Sequence, residues 1–403
     1  MGLCEKASVT FGGIGRSELS QAPTSQLVTI SVVPRETVGS LPAGFAKKPT
    51  FSKSDGFLIE LRRRVDEYFL RTGLAQRDCP QMYRKTAILF ATCASSYVLL
   101  VFFAATWWQA FPLAILLGLT IAGIGFNVAH DGGHQAYSSR LWVNKLMSMS
   151  LDVVGGSSYL WHWKHAVLHH TYVNITGHDA DIDLGILGRL SPHQKRYWFH
   201  RWQHLYLWPL YGFLAMAWHF YSDFHEVITG QIGGNRIPRP KGGDLLLFVG
   251  GKVVFFTLAF AIPLLFHPVW AVLLTYGVIS FVLGLVLSIV FQLAHAVEEA
   301  EFPLPRPETG NMENTWATHQ VETTVDFARQ SRALAWLVGG LNFQIEHHLF
   351  PRICHIHYPA ISLVVEDTCR EYGVRYTQHA TFGRGLASHY RWLRTMGMVT
   401  EST

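Results

Sequence analysis

Histidine is the commonest metal ligand among side chains, and this 403-residue chain carries 21 of them. Their spacing says more than their number. His130 and His134 stand in the string HDGGH, four residues apart and so on one face of a helix. His165, His169 and His170 stand in HAVLHH. The first two share a helix face, and the third is displaced by about a third of a turn. His295 lies in QLAHAVEE, and His347 and His348 lie in NFQIEHH with Gln344 one turn before them. Imidazole suits iron, copper, nickel and zinc. Eight imidazoles exceed the needs of one ion, since a structural zinc takes about four ligands and usually includes Cys. Shared between two ions with the Gln344 amide, the set gives each about four protein ligands and leaves positions for water or dioxygen. Such a pair suits oxygen activation or metal-assisted hydrolysis. A single histidine near a membrane surface is more often a polar anchor than a ligand. Two such pairs and an HH doublet, each at the end of an apolar run, outweigh that reading.

The elements that must position these residues are apolar. Hydrophobic residues make up 49% of the chain and charged residues 15%, against about 25% charged in an average soluble domain. Residues 86–108 contain no charge, enough to cross a hydrocarbon core of ~30 Å at ~1.5 Å per residue. Residues 111–129 form a second run, so the two make a hairpin with Trp107 and Trp108 at its tip, where interfacial aromatics belong. Residues 245–266 and 269–292 make a second hairpin around His267 and Pro268, with Lys252 expected to snorkel to the surface. Residues 141–165 and 200–225 are apolar but interrupted by His, Arg and Asp, and read as interfacial or half-buried helices. Residues 1–45 are rich in Ser, Gly, Thr and Pro and read as a disordered tail without a signal peptide. The basic stretch of residues 46–85, with Arg62, Arg63 and Arg64, is expected as helix on the cytosolic membrane surface. Two tight hairpins then return every histidine string to that same face. The fold class expected is an all-α integral membrane protein, four transmembrane helices in two hairpins with interfacial helices and a histidine-rich cytosolic cap.

Composition excludes other classes. The 26 Phe, 15 Tyr and 13 Trp argue against disorder over most of the chain. Five Cys (Cys4, Cys79, Cys93, Cys354, Cys369) without a CxxC pair argue against a disulfide scaffold and read as reduced. A net charge of +5 without a basic module argues against nucleic acid as a partner. A polytopic metal carrier would need ligands near mid-bilayer, and the four runs offer essentially none.

Several further residues have expected roles. Asp131 would orient His130 or His134, and Gly132 and Gly133 would allow close approach of another helix. Glu298, Glu299 and Glu346 would hold imidazole tautomers from outside the ligand set, and His178, Asp179, Asp181 and Asp183 in GHDADID, read alone, suit a divalent-cation loop without the full calcium-loop pattern. His319 in WATHQVETT reads as a satisfied polar residue or a contact to the metal site. His162, His200, His204, His219 and His225 read as interfacial, and His355 and His357, which follow the third string, as surface residues ahead of the alternative that they support the ligands. Lys164 and Arg352 would attract an anionic head group or an acidic partner. The segment from Trp202 to Tyr221 would wall a substrate channel.

The strings HDGGH, HAVLHH and QIEHH resemble the three histidine boxes of the membrane fatty acid desaturases, over residues from about Phe51 to the C-terminus. Gln344, in place of a histidine, resembles the front-end branch. The resemblance implies a desaturase domain over residues 86–400, transmembrane helices included, with its active site on the cytosolic face. It implies two non-haem irons, dioxygen as co-substrate and a cis double bond placed in a long acyl chain. The ligands implied are His130, His134, His165, His169, His170, His295, Gln344, His347 and His348, and the stretch His178, Asp179, Asp181 and Asp183 resembles one that supports the ligands from behind. The substrate implied is an acyl-lipid or acyl-CoA, and a hydroxylase or a sphingolipid enzyme would use the same scaffold. Many front-end relatives carry a fused cytochrome b-type domain with an HPGG motif. No HPGG occurs here, so a separate electron donor, a ferredoxin or cytochrome b-type protein, is expected. The second box has three residues before its HH doublet where many relatives have two.

Overall fold

A computed structural model describes residues 48–53 and 56–398, so the segment 1–45 expected as a tail lies outside the described residues. Among the described residues, four helices are long and apolar enough to cross a membrane: Pro80–Phe103, Trp107–Gly133, Gly243–Leu264 and Val269–His295. They agree with the four apolar runs, with shifted ends. The first helix starts at Pro80 because Cys79 is extended and proline at a first helical position forgoes only an N–H that has no helical partner. Its end at Phe103 and the turn 104–106 are fixed by Gln109, whose Oε1 accepts from the N–H groups of Ala105 (2.9 Å) and Thr106 (3.2 Å). Trp107 and Trp108 therefore open the second helix and stay exposed. The second and fourth helices run past the apolar runs and carry His130 and His295 directly.

The second and fourth spans pack together with Ala215 and Leu341 in the largest apolar cluster, which includes Ala122, Phe126, Leu283, Val290 and Leu293. Within the stretches 141–165 and 200–225, residues 141–153, 158–165 and 203–225 are largely helical, and neither stretch is among the candidate spans. The aromatic segment 203–229 abuts the fourth span, where Phe213 meets Phe281 with ring centroids 6.1 Å apart.

Two basic regions differ from expectation. The described residues of the stretch 46–85 form more than one element. Residues Thr50–Ser52 pair in parallel with Asn311–Thr315, and helix Phe57–Thr72 turns its apolar face inward. Phe57, Leu61, Val65 and Phe69 are buried against the third-box helix Gln344–Leu349 and helix Tyr358–Tyr372. Arg84 and Lys85 already belong to the first span. Lys252 does not snorkel. It is buried, donating to Asp223 (2.7 Å), Gly155 O (2.7 Å) and Trp218 O (3.2 Å). An ammonium with three acceptors is tolerated inside the protein where a bare one is not, so Lys252 ties the third span to the segments on either side of the site.

Candidate metal centre

The first box continues the second span without a break. A π-helical turn, Gly125–Ala129, precedes His130, and His134 caps the helix end. The glycines matter here. A Cβ on Gly132 would lie 2.6 Å from Ser148 N, and one on Gly133 would lie 2.1 Å from the Trp161 ring. Only glycine lets helix Leu141–Ser148 and Trp161 close over the box.

The second box departs from α periodicity. Residues His162–His169 form a π-helix, and the His170 N–H donates to His165 O. In this winding residue i+5 sits over residue i. His170 therefore comes back over His165, with their Nε2 atoms 3.3 Å apart, instead of standing a third of a turn away. His295 is the last residue of the fourth span. The third box is a six-residue helix, Gln344–Leu349, buried throughout.

These four pieces meet. Ligand atoms of His130, His134, His165 and His347 lie within 4.8 Å of one another, as do those of His169, His295 and His348, and those of His170, His347 and His348. His170 joins the groups, its Nε2 lying 3.0 Å from that of His347 and its ring centroid 4.4 Å from that of His348.

The nitrogen chemistry fits metal ions. The Nε2 atoms of His130, His134, His169, His295 and His348 are buried and have no hydrogen-bond partner. Leaving buried polar atoms unsatisfied costs about 1–3 kcal/mol each, and lone pairs converging from neutral imidazoles are what a cation requires. Three of the outer nitrogens are held. His169 Nδ1 donates to Asp179 (3.0 Å), His348 Nδ1 to Gln320 Oε1 (2.9 Å), and His347 Nδ1 lies 3.3 Å from the Tyr358 hydroxyl. Each fixes the tautomer that turns Nε2 inward. Burial, with neighbouring imidazoles, keeps His134, His170, His347 and His348 well below the usual histidine range. Burial pushes His165 down to about 3. His169 is the exception: burial opposes its charge, but Asp179 and Asp181 hold it above its ordinary value.

The expected supporting residues divide. Asp181 lies 3.8 Å from His165 and from His169. Burial would raise its pKa, but Lys164 (3.5 Å) and the imidazoles hold the carboxyl below its usual range. Asp131 does not hold a box imidazole by hydrogen bond. It lies 4.0 Å from His130 Nδ1, while its Oδ2 accepts from His355 Nδ1 at 2.8 Å. Glu346 points away and accepts from the Tyr376 hydroxyl (3.0 Å) beside Asp326. His319 donates to Val173 O (2.9 Å) and braces the second-box loop. His178 is buried beside Tyr172, and its carbonyl accepts from Asn235. Glu298 and Glu299 pair with Arg391 and His379. Gln344 is buried and borders a cavity with His130 and His165.

His355 and His357, expected at the surface, are buried. So are His200 and His219, which bond Ile186 O and the Tyr276 hydroxyl. Sequence reasoning missed Gln320 and Tyr358. The first stands beside His319, which drew attention instead.

The cavity, about 390 Å³, opens against this cluster. Its walls are Ile121 and Phe126 from the second span, Leu283 and Leu287 from the fourth, and Leu210 and Leu214 from the aromatic segment expected to line it. Lys164 and Asp181 stand at its border. The volume falls in the ordinary range for ligand sites.

Fold and site define a multi-pass membrane protein with a buried histidine centre able to hold metal, facing an apolar cavity. The chain belongs to the fatty acid desaturase family, whose model matches residues 105–380, and it is an oxidoreductase. It is 41% identical to the sn-1 linoleoyl-lipid 6-desaturase of Arthrospira platensis over 88% of this chain and 96% of that protein. It is 39% identical to the sn-1 linoleoyl-lipid 6-desaturase of Synechocystis sp. over 88% and 99%. It is 34% identical to an acyl-lipid (8-3)-desaturase of Physcomitrium patens over 88% and 75%.

Proposed function

We propose that this protein is a front-end desaturase that places a cis double bond in an acyl chain carried on a lipid, between its carboxyl end and an existing double bond. The observation that carries the reading is the convergence of eight imidazoles, in overlapping groups, against one apolar cavity. The names of the similar proteins support the acyl-lipid substrate and a linoleoyl chain. His130, His134, His165, His169, His170, His295, His347 and His348 would hold two irons, with Gln344 completing the set directly or through water. With dioxygen and two electrons, two irons supply an oxidant strong enough for an unactivated C–H bond, which protein acids and bases are not.

The chain's own residues do the rest. Asp179, Gln320 and Tyr358 orient imidazoles, and Asp181 lies between Lys164 and the second box. The apolar walls exclude water and hold the chain in one register, where a ~1 Å displacement costs ~100-fold in rate. The electron donor would be a separate ferredoxin or cytochrome b-type protein, and the site would face the cytosol.

Fatty acid profiling of a host expressing the chain, fed linoleic acid and supplied with a donor, tests the proposal. A product with a new double bond on the carboxyl side is expected, and its absence with His347→Ala/His348→Ala. A hydroxylated product would overturn the desaturase outcome.

A further inference from the structure

Buried polar groups around the cavity are satisfied, with one exception outside the histidine boxes. Ser288 donates to Tyr211 O, and Lys164 pairs with Asp181. Gln292 is different. It is 4% exposed and lines the cavity, its Oε1 is sealed from solvent without a partner, and no protein group bonds the rest of the amide. Gln292 lies three residues before His295 on the continuous helix Val269–His295, ~4.5 Å along the axis. Its neighbour Phe291 packs on His169 and His295, with ring centroids 5.0 and 4.8 Å away. The amide therefore sits within one turn of the imidazole cluster.

We infer that Gln292 is the substrate-binding residue that receives the carbonyl of the acyl ester, and that it thereby fixes how many carbons separate the carbonyl from the new double bond. The inference rests on the front-end reading above. An acyl chain in an apolar cavity brings one polar group that an amide can satisfy, its carbonyl. In a front-end reaction that carbonyl lies only a few bonds from the reacting carbons, so its partner must stand close to the metal ligands. Gln292 does. The –NH2 edge of a primary amide donates to a carbonyl, and Nε2 is the end of this amide that is not sealed off. A desaturase acting far from the carboxyl end would have no use for an unsatisfied amide here, because the chain at that depth is all hydrocarbon.

The test compares the parent, Gln292→Leu and Gln292→Asn in a host fed linoleic acid. Double-bond positions are read by mass spectrometry of derivatised methyl esters, and iron content is measured on the purified proteins. Gln292→Leu is expected to keep its iron, to yield about tenfold less product, the effect of one lost hydrogen bond, and to spread the double bond over neighbouring carbons. Gln292→Asn, one methylene shorter, is expected to keep most of the yield and to shift the position. Separate profiling of glycerolipids and of the acyl-CoA pool shows whether the carbonyl is an ester or a thioester. Parent-like yield and position in Gln292→Leu overturns the inference, as does loss of iron, which would make Gln292 a support of the metal centre. Where Gln292→Leu does not accumulate, an unchanged position in Gln292→Asn overturns it. A parent without any desaturated product refutes the front-end reading itself, a result distinct from these.

Discussion

Two buried clusters rich in histidine lie side by side, and consecutive residues feed them. His130 belongs to the box cluster, in which the Nε2 atoms of five imidazoles lack partners among the described residues. Asp131 belongs to the other, with Lys85, Cys79, Cys354, His355 and His357. There every imidazole nitrogen bonded inward is satisfied. Lys85 donates to His355 Nε2 (3.1 Å), His355 Nδ1 donates to Asp131 (2.8 Å), and His357 Nε2 lies 3.2 Å from Cys79 Sγ and 2.9 Å from Ala75 O. Ligand atoms of Asp131, Cys354 and His355 also lie within 4.8 Å of one another. Proximity and burial therefore do not separate a metal centre from a structural network. Unpartnered lone pairs do. The second cluster reads as a clamp fixing the segment after the third box to the first two spans.

The sharpest way to break this contrast is to remove ligands. His347→Ala/His348→Ala should abolish iron binding and reduce desaturation to background while the protein still inserts in membranes, as fractionation and metal analysis would show. Next, Asp179→Ala should cost about 10–100-fold in iron affinity or activity, since His169 loses the group that fixes its tautomer. An iron titration giving the parent's affinity would remove Asp179 from the site. His355→Ala should act oppositely, destabilising the fold by about 3 kcal/mol by stranding Asp131 and Lys85, with iron per folded molecule unchanged. Thermal unfolding and metal content together decide, and selective iron loss would merge the two clusters. Gln320→Leu should give the smallest change among the ligand supports, within about tenfold, because Gln320 is an uncharged partner to His348.

Acidity sharpens the contrast from another side. His165 has a folded pKa near 3 against an ordinary 6.5, and His134, His170, His347 and His348 are lowered in the same direction. Below about 6.5 the unfolded chain takes up protons that these folded imidazoles refuse, so their contribution falls as pH drops from about 6.5 towards 3. His169, raised, runs the other way but is one group against five. The metal-free protein should lose thermal stability between pH 7.5 and pH 5, and a flat profile would contradict neutral imidazoles.

Much of this site was legible because its signals are local. Four-residue spacings, an HH doublet and uncharged runs each fit inside one helix, and they predicted where chain segments leave the bundle. The π winding at His162–His169 was not legible, since no side-chain pattern announces one extra residue per turn. Partners far apart in the chain were equally hidden. Asp131 meets His355 across 224 residues, and Gln320 meets His348 across 28. Lys252 misled because a lone charge in an apolar run looks like an anchor until Asp223 is found beside it.

His347 lies in both the His130–His134–His165 group and the His170–His348 group. A ring shared in this way makes loading a joint event. An ion captured by one group orders His347 and His170 and so lowers the entropic cost of ordering the other. Uptake by the metal-free protein should then be sigmoidal, with half-filled molecules scarce, and dilution of iron should leave a mixture of full and empty proteins.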